Sequence, residues 1–175
     1  MSSQRQDMRT VMGHFATGVC VVSARRGDGR PVGTTVNAVT SVSLDPPLLL
    51  VCLARNSETL AAVIDSSTFA VNILAEEQRE HSLRFAAKGE DAHPEEVVFS
   101  EHDGQVPCLA DALATIACRI SALHEGGDHM IVLGEVLSMS SAEDDLAPLL
   151  FYRGSYSRLA DEDDLEASLT LNSVG

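Results

Sequence analysis

Polar and apolar residues alternate through GTTVNAVTSVSLDPP, residues 33–47: Thr35, Asn37 and Ser41 take odd positions while Val36, Ala38, Val42 and Leu44 take even ones. A period of two marks a β-strand with unlike faces, so Thr35 and Asn37 project together, and Ser41 joins them unless a bulge resets the alternation. That face offers hydroxyl and amide groups without formal charge. It suits a solvated edge or the wall of a polar ligand cavity. Pro46 and Pro47 end the ladder, since neither donates a backbone hydrogen bond.

The rest of the chain carries the same β-rich punctuation. A short helical lead-in passes into an apolar strand, Val19 to Ala24, and Asp28-Gly29 in the following RRGDGRPVG predicts a tight turn into the strand that starts near Gly33. LLLVCLA (48–54) is a continuous apolar strand. RNSETLAAVIDSS then predicts a short helix capped by Asn56 or Ser57, with Leu60, Val63 and Ile64 as its buried stripe. FAVNILA (69–75) returns to strand. AEEQREHSLRFAAKG predicts a second helix, acidic at its start and ended by glycine. Residues 89–113 read as an excursion over the surface. TIACRISALHE (115–125) and HMIVLGEVLSM (129–139) form a second hairpin around Gly126-Gly127-Asp128, and LLFYR (149–153) is a last short strand. Six to eight strands, joined too tightly for repeated βαβ crossovers, predict a mostly antiparallel barrel or sandwich with two or three helices.

Composition narrows the possibilities. A chain of 175 residues, 45% hydrophobic, has room for one substantial core. Its 12 Lys and Arg against 26 Asp and Glu, a formal charge of −14, argue against nonspecific attraction to nucleic acid or an anionic membrane surface. No apolar run reaches the roughly 20 residues of a membrane span, and MSSQRQDMRT lacks a secretory core, so a cytoplasmic location is the default expectation. Cys20, Cys52, Cys108 and Cys118 are dispersed, and the six histidines show no compact ligand spacing, so no metal site is expected. Neither G-x-G-x-x-G nor G-x-x-x-x-G-K is present, which removes support for a Rossmann or P-loop nucleotide site.

Three further segments carry candidate chemistry. At Arg55-Asn56-Ser57-Glu58-Thr59 a helix start offers free N–H groups and the Ser57 and Thr59 hydroxyls to an anion, although capping alone accounts for the same letters. His129, after Gly127-Asp128 in the later hairpin, is an imidazole on a rigid scaffold, with no acidic partner assignable from spacing. Phe151-Tyr152-Arg153-Gly154-Ser155-Tyr156 puts three of the chain's seven Phe and Tyr residues beside a cation; aromatic cover for a planar ligand and simple closure of the β-structure both fit. No nucleophilic triad is evident.

Taken in order, FATGVCVV (15–22), GTTVNAVTSVSLDPPLLLVCL (33–53), NSETL (56–60), FAVNILAEEQ (69–78), GGDHMIVLGEV (126–136) and LLFYRGSY (149–156) resemble the short-chain flavin reductase family, the reductase components of two-component flavin-dependent monooxygenases. The resemblance implies a domain over residues 8–159, followed by an acidic tail or arm over 160–175. It implies a split β-barrel of Greek-key, FMN-binding type, working as a homodimer. Carried onto this sequence, it implies that Thr35, Asn37, Ala38, Thr40 and Ser41 wall the flavin ring and ribityl chain. The same resemblance implies Ser57 and Thr59 near the phosphate, Asn72 on another flavin-side wall with backbone contacts at least as favoured as side-chain ones, and Arg84 and Phe85 close by. It implies His129 beside the nicotinamide, with Tyr152, Arg153, Gly154 and Tyr156 closing that region. Two departures are visible: Thr34 replaces a larger apolar residue, and Ala114 to Ala117 lack a tryptophan.

The implied reaction moves hydride from C4 of NADH or NADPH to N5 of FMN or FAD, chemistry that needs positioning more than a strong protein base. Reduced flavin would then supply a partner monooxygenase. Two alternatives keep the same residues: a flavoprotein with bound FMN that reduces another acceptor or uses oxygen, and a non-enzymatic flavin-binding protein. Nothing in the sequence chooses between FMN and FAD or between the two nicotinamides.

Overall fold

In the computed structural model, which describes residues 2–87, 97–102, 106–142 and 146–160, the chain opens with helix α1 (Ser2–Met12) and a two-residue strand β1 (Thr17–Gly18). The hairpin expected around Asp28-Gly29 forms from β2 (Cys20–Arg25) and β3 (Pro31–Val36), with Gly29 at φ +86° in the turn. The alternating segment does not continue as one strand. It breaks at Asn37-Ala38, and β4 (Val39–Leu44) then turns through Asp45-Pro46 to pair with β5 (Pro47–Ala54). A bulge between Ser41 and Ser43 resets the alternation.

Helix α2 (Glu58–Ser66) starts where expected, with Ser57 Oγ accepting the Leu60 N–H at 3.0 Å. It buries Thr59, Leu60, Ala62 and Val63; Ile64, expected in the stripe, is 47% exposed because the buried arc centres on the Thr59–Val63 side. Strand β6 (Thr68–Ile73), a 3₁₀ turn (Glu76–Gln78) and helix α3 (Arg79–Ala86) follow. Residues 97–109, read as surface excursion, instead hold a hairpin of β7 (Phe99–His102) and β8 (Val106–Leu109), and β8 is buried throughout. Four residues, VPCL, are too short a run to signal a strand by period. The long strands β9 (Ala114–Gly126) and β10 (His129–Ser141) form the second expected hairpin, and β11 (Leu150–Tyr152) with β12 (Ser155–Ser157) closes the chain.

The expected barrel is not formed. Among the described residues, seven strands make one antiparallel sheet, β3-β2-β6-β9-β10-β5-β4, and no sheet closes on itself. Strands β3 and β4 are its two edges and are joined by only two residues, so the sheet curls to bring its edges within reach. They stay unpaired because the chain runs onward from Val36 to Val39 without the reversal that an antiparallel partner needs, and Ala38 O already accepts from Cys52 N on β5 at 3.1 Å. A three-stranded sheet, β1-β11-β12, and the β7-β8 pair lie outside it.

Inside the curl, Val22, Ala24, Val51, Leu53, Phe69, Val71 and Val132 form the main core with Leu60 and Val63 of α2. A second core under α3 joins Val19, Val21, Leu74, Phe85, Leu109 and Leu149. Asn72 stitches the two sides: its Nδ2 donates to Val21 O and Ser23 Oγ, both at 2.9 Å, and its Oδ1 accepts Leu109 N–H at 2.8 Å. Burial pushes the Cys20 thiol up to about 11 and the Cys118 thiol up to about 12, so both behave as small hydrophobes. Residues 161–175, most of the acidic segment, lie outside the described residues.

Candidate functional site

The link Asn37-Ala38, exposed between the two sheet edges, is the reference point for the candidate site. On its β3 side, Thr35 Oγ1 donates to Ser82 O of α3 at 2.7 Å, and Ser82 Oγ lies 2.8 Å from Tyr156 Oη. Arg79 rests over the Tyr156 ring at 5.1 Å, and Phe151 meets that ring edge-on at 5.5 Å. One buried serine thus holds a residue from β3 to a residue from β12, which lie 121 positions apart in sequence (156 less 35).

On its other side the link runs beside β5. Ala38 bonds to Cys52, and two residues further on Ala54 pairs with His129 across the β5–β10 ladder. Arg55 N–H donates to Asp128 O at 3.0 Å, and Arg55 Nε donates to Gly127 O at 2.7 Å. The helix start at Ser57 and the later hairpin, read separately in the sequence, are therefore one corner. His129 does have a partner: Nδ1 donates to Oδ1 of the adjacent Asp128 at 2.8 Å. That bond, with the charge of His129 and a lesser one from Arg5, holds the Asp128 carboxyl below the usual aspartate range. With Nδ1 committed, Nε2 is the edge of the ring left for a ligand.

The remaining candidates divide. Arg153 and Gly154, at φ +50° and +80°, form the tight β11–β12 turn, whose positive angles suit glycine at the second position. Thr40 and Ser41 are exposed on β4, at the opposite sheet edge from β3. Thr59 is buried under α2, so Ser57 is the accessible hydroxyl of the pair. Asn72 is consumed in the core, by its side chain as described and by its backbone between Val21 and Thr115. The Phe85 ring is buried, packed on Gly33 and edge-on to Phe99 at 6.2 Å, while Arg84 lies half-buried on the same helix. Sequence reasoning missed Ser82, Arg79 and Asp128; the last was adjacent to His129, and only the helix period of α3 pointed to the first two.

The flavin reductase like domain family matches residues 12–160. The chain belongs to that family. The reductase subunit HsaB of a flavin-dependent monooxygenase from Rhodococcus jostii is 39% identical to it over 173 residues, covering 94% of this chain and 87% of its own. A flavin reductase (NADH) from Kitasatospora aureofaciens is 40% identical over 168 residues, covering 95% and 88%. Among solved structures, the NADH:FAD oxidoreductase SgcE6 of Streptomyces globisporus, in complex with NAD and FAD fragments, aligns with a TM-score of 0.83 at 34% identity, covering 94% of this chain and 98% of its own. As a flavin reductase family member, the chain is an oxidoreductase that reduces flavin with a nicotinamide.

The donor set fits such ligands. The Asn37 amide and the Thr40 and Ser41 hydroxyls are exposed and carry no formal charge, the kind of groups that contact a heterocycle without opposing charge. At α2, the Glu58 and Thr59 N–H groups have no intrahelical acceptor, and the Ser57 hydroxyl still has its own hydrogen to donate, as a phosphate end requires. Glu58 is ion-paired with Arg26 at the same turn, so its charge is offset locally. Among the described residues no cluster of three His, Cys, Asp or Glu is placed to hold a metal ion, and no helix is long and apolar enough to cross a membrane.

Proposed function

We propose that the surface centred on Asn37-Ala38 binds flavin, and that His129 and the Arg153-Gly154 turn receive the nicotinamide. The observation that carries this reading is the placement of His129 against Ala54, three residues from the Ser57 cap, with its ring oriented by Asp128. When both are bound, hydride passes from nicotinamide C4 to flavin N5, chemistry that belongs to the two cofactors. The protein's part is to bind and orient them. Asn37, with Ala38 beside it and Thr40 and Ser41 on the adjoining edge, supplies neutral polar contacts to the ring system, while Thr35 acts through Ser82 and so positions α3 and Tyr156. Ser57 and the first turn of α2 hold the phosphate end. Arg84 adds positive charge from α3. Nε2 of His129 faces the nicotinamide and can hold or pass a proton at that atom, while Tyr152 and Tyr156 close the region.

Several relatives are reductase components of monooxygenases, which supports release of reduced flavin to such a partner. We further propose that the domain over residues 8–159 works as a homodimer. Val42 and Leu44 on β4, Met8, Val11 and Met12 at helical spacing on α1, and Phe15 just beyond its end are exposed apolar residues that a second copy would cover.

A steady-state matrix of NADH and NADPH against FMN, FAD and riboflavin, with capture of released reduced flavin, tests the reading. Flavin-dependent nicotinamide oxidation is expected; none with any pair overturns it. Asn37→Ala is expected to raise the flavin Kd in a fluorescence titration. His129→Ala is expected to slow flavin reduction or weaken nicotinamide binding, and unchanged values for both would remove His129 from the site. A monomeric mass in light scattering would remove the dimer.

A further inference from the structure

Both ring nitrogens of His14 are committed. Nδ1 lies 2.9 Å from the Thr10 carbonyl oxygen, and Nε2 lies 2.8 Å from Nη2 of Arg153. A carbonyl cannot donate and a guanidinium cannot accept, so Nδ1 carries the proton and Nε2 presents its lone pair. The ring is therefore the neutral Nδ1–H tautomer, defined from both ends. A second bond secures the same turn, since Arg153 N–H donates to Gly13 O at 2.8 Å. The guanidinium also lies over the Tyr152 ring at 5.4 Å. Arg153 sits at φ +50°, a conformation a non-glycine residue holds only when its surroundings keep it there. These contacts border a groove of about 470 Å³ between α1 and the β11–β12 turn, and among the described residues no carboxylate lines it.

We propose that His14 is a positioning residue that holds the Arg153 guanidinium through an unprotonated Nε2 and thereby sets the Arg153-Gly154 turn for the nicotinamide. The proposal rests on assigning Arg153 to the nicotinamide side. Its physical content is a division of labour within one ring. Nδ1–H closes the end of α1 by bonding Thr10 O, and Nε2 aims the cation. The two halves are separable by amide substitutions, because an asparagine amide reaches the place of Nδ1 and a glutamine amide that of Nε2.

The test uses the full chain. Nitrogen-resolved imidazole spectra, assigned with His14→Gln, are expected to show His14 protonated at Nδ1 and bare at Nε2; protonation at Nε2 alone overturns the proposal. In kinetics with saturating flavin, His14→Asn is expected to raise the nicotinamide KM about five- to tenfold with kcat within about twofold, as loss of one solvent-exposed hydrogen bond of ordinary net strength implies. His14→Gln is expected to restore most of that KM. Equal effects of the two variants, or no effect of either, overturn the proposal, and unfolding midpoints measured alongside show whether both remain folded. Arg153→Met separates the two levels. If it raises the nicotinamide KM and His14→Asn does not, His14 is not a positioning residue while the Arg153 assignment stands; if Arg153→Met changes neither KM nor nicotinamide Kd, that assignment falls and the proposal with it.

Discussion

Oδ1 of Asp128 accepts from Nδ1 of His129 at 2.8 Å, and the two residues are neighbours in the chain. The carboxyl is held below the ordinary aspartate value of ~3.9 in the folded protein. A depressed value stabilises the fold above the unfolded pKa, and that contribution is lost as pH falls through the folded one. Asp128→Asn is therefore expected to flatten the acid side of the Tm-versus-pH curve below about pH 4 at low salt. An unchanged acid limb would count against the pair.

Ser82 Oγ and Tyr156 Oη meet at 2.8 Å, and that bond can be removed from either side by one substitution, while Ser82 O keeps its bond from Thr35. Ser82→Ala and Tyr156→Phe should each lower stability by about 1 kcal/mol, and the double variant by little more than either alone, because both remove one hydrogen bond. Additive losses in urea titrations would mean that the two groups do not interact.

Asn72 makes three buried hydrogen bonds that tie β6 to β2 and β8. Truncation to alanine leaves the Leu109 N–H without its acceptor in the core and is expected to cost roughly 3 kcal/mol in urea unfolding. Flavin affinity of the folded protein should stay within about twofold, since the amide faces protein on every side. A large loss of flavin affinity with intact stability would place Asn72 at the ligand instead.

At Gly134 an added Cβ would stand 2.5 Å from Cζ of Phe69 and 3.0 Å from Cβ of Cys118. Gly134→Ala is expected to destabilise by about 1–3 kcal/mol through overpacking. Phe69→Leu in the same chain should recover part of that loss, a non-additivity that a thermal-unfolding cycle reads directly. Without recovery, the crowding does not come from the ring.

Much of the element order was legible because hairpins carry local chemistry. Asp28-Gly29 and Gly126-Gly127-Asp128 mark turns that did form, and Ser57 is the cap its letters promised. Strand β8 was not legible, since VPCL is held by distant partners: Ser23 Oγ donates to Pro107 O at 2.5 Å, and Asn72 accepts from Leu109. The expected single strand carrying Thr35, Asn37 and Ser41 ends at Val36, after Thr35 alone, and its second half joins the opposite edge of the sheet, which no local period signals.

The sequence by itself determined the β-rich class, the two hairpins, the cap of α2 and the family, because turn chemistry, side-chain period and ordered motifs are local properties of the chain. Only the tertiary structure decided that the sheet stays open, that Asn72 belongs to the core, and that Ser82 joins Thr35 to Tyr156. It also decided that His14 meets Arg153 across 139 positions (153 less 14). Each of these depends on which distant segments the curl of the sheet brings together, and no local period encodes that geometry.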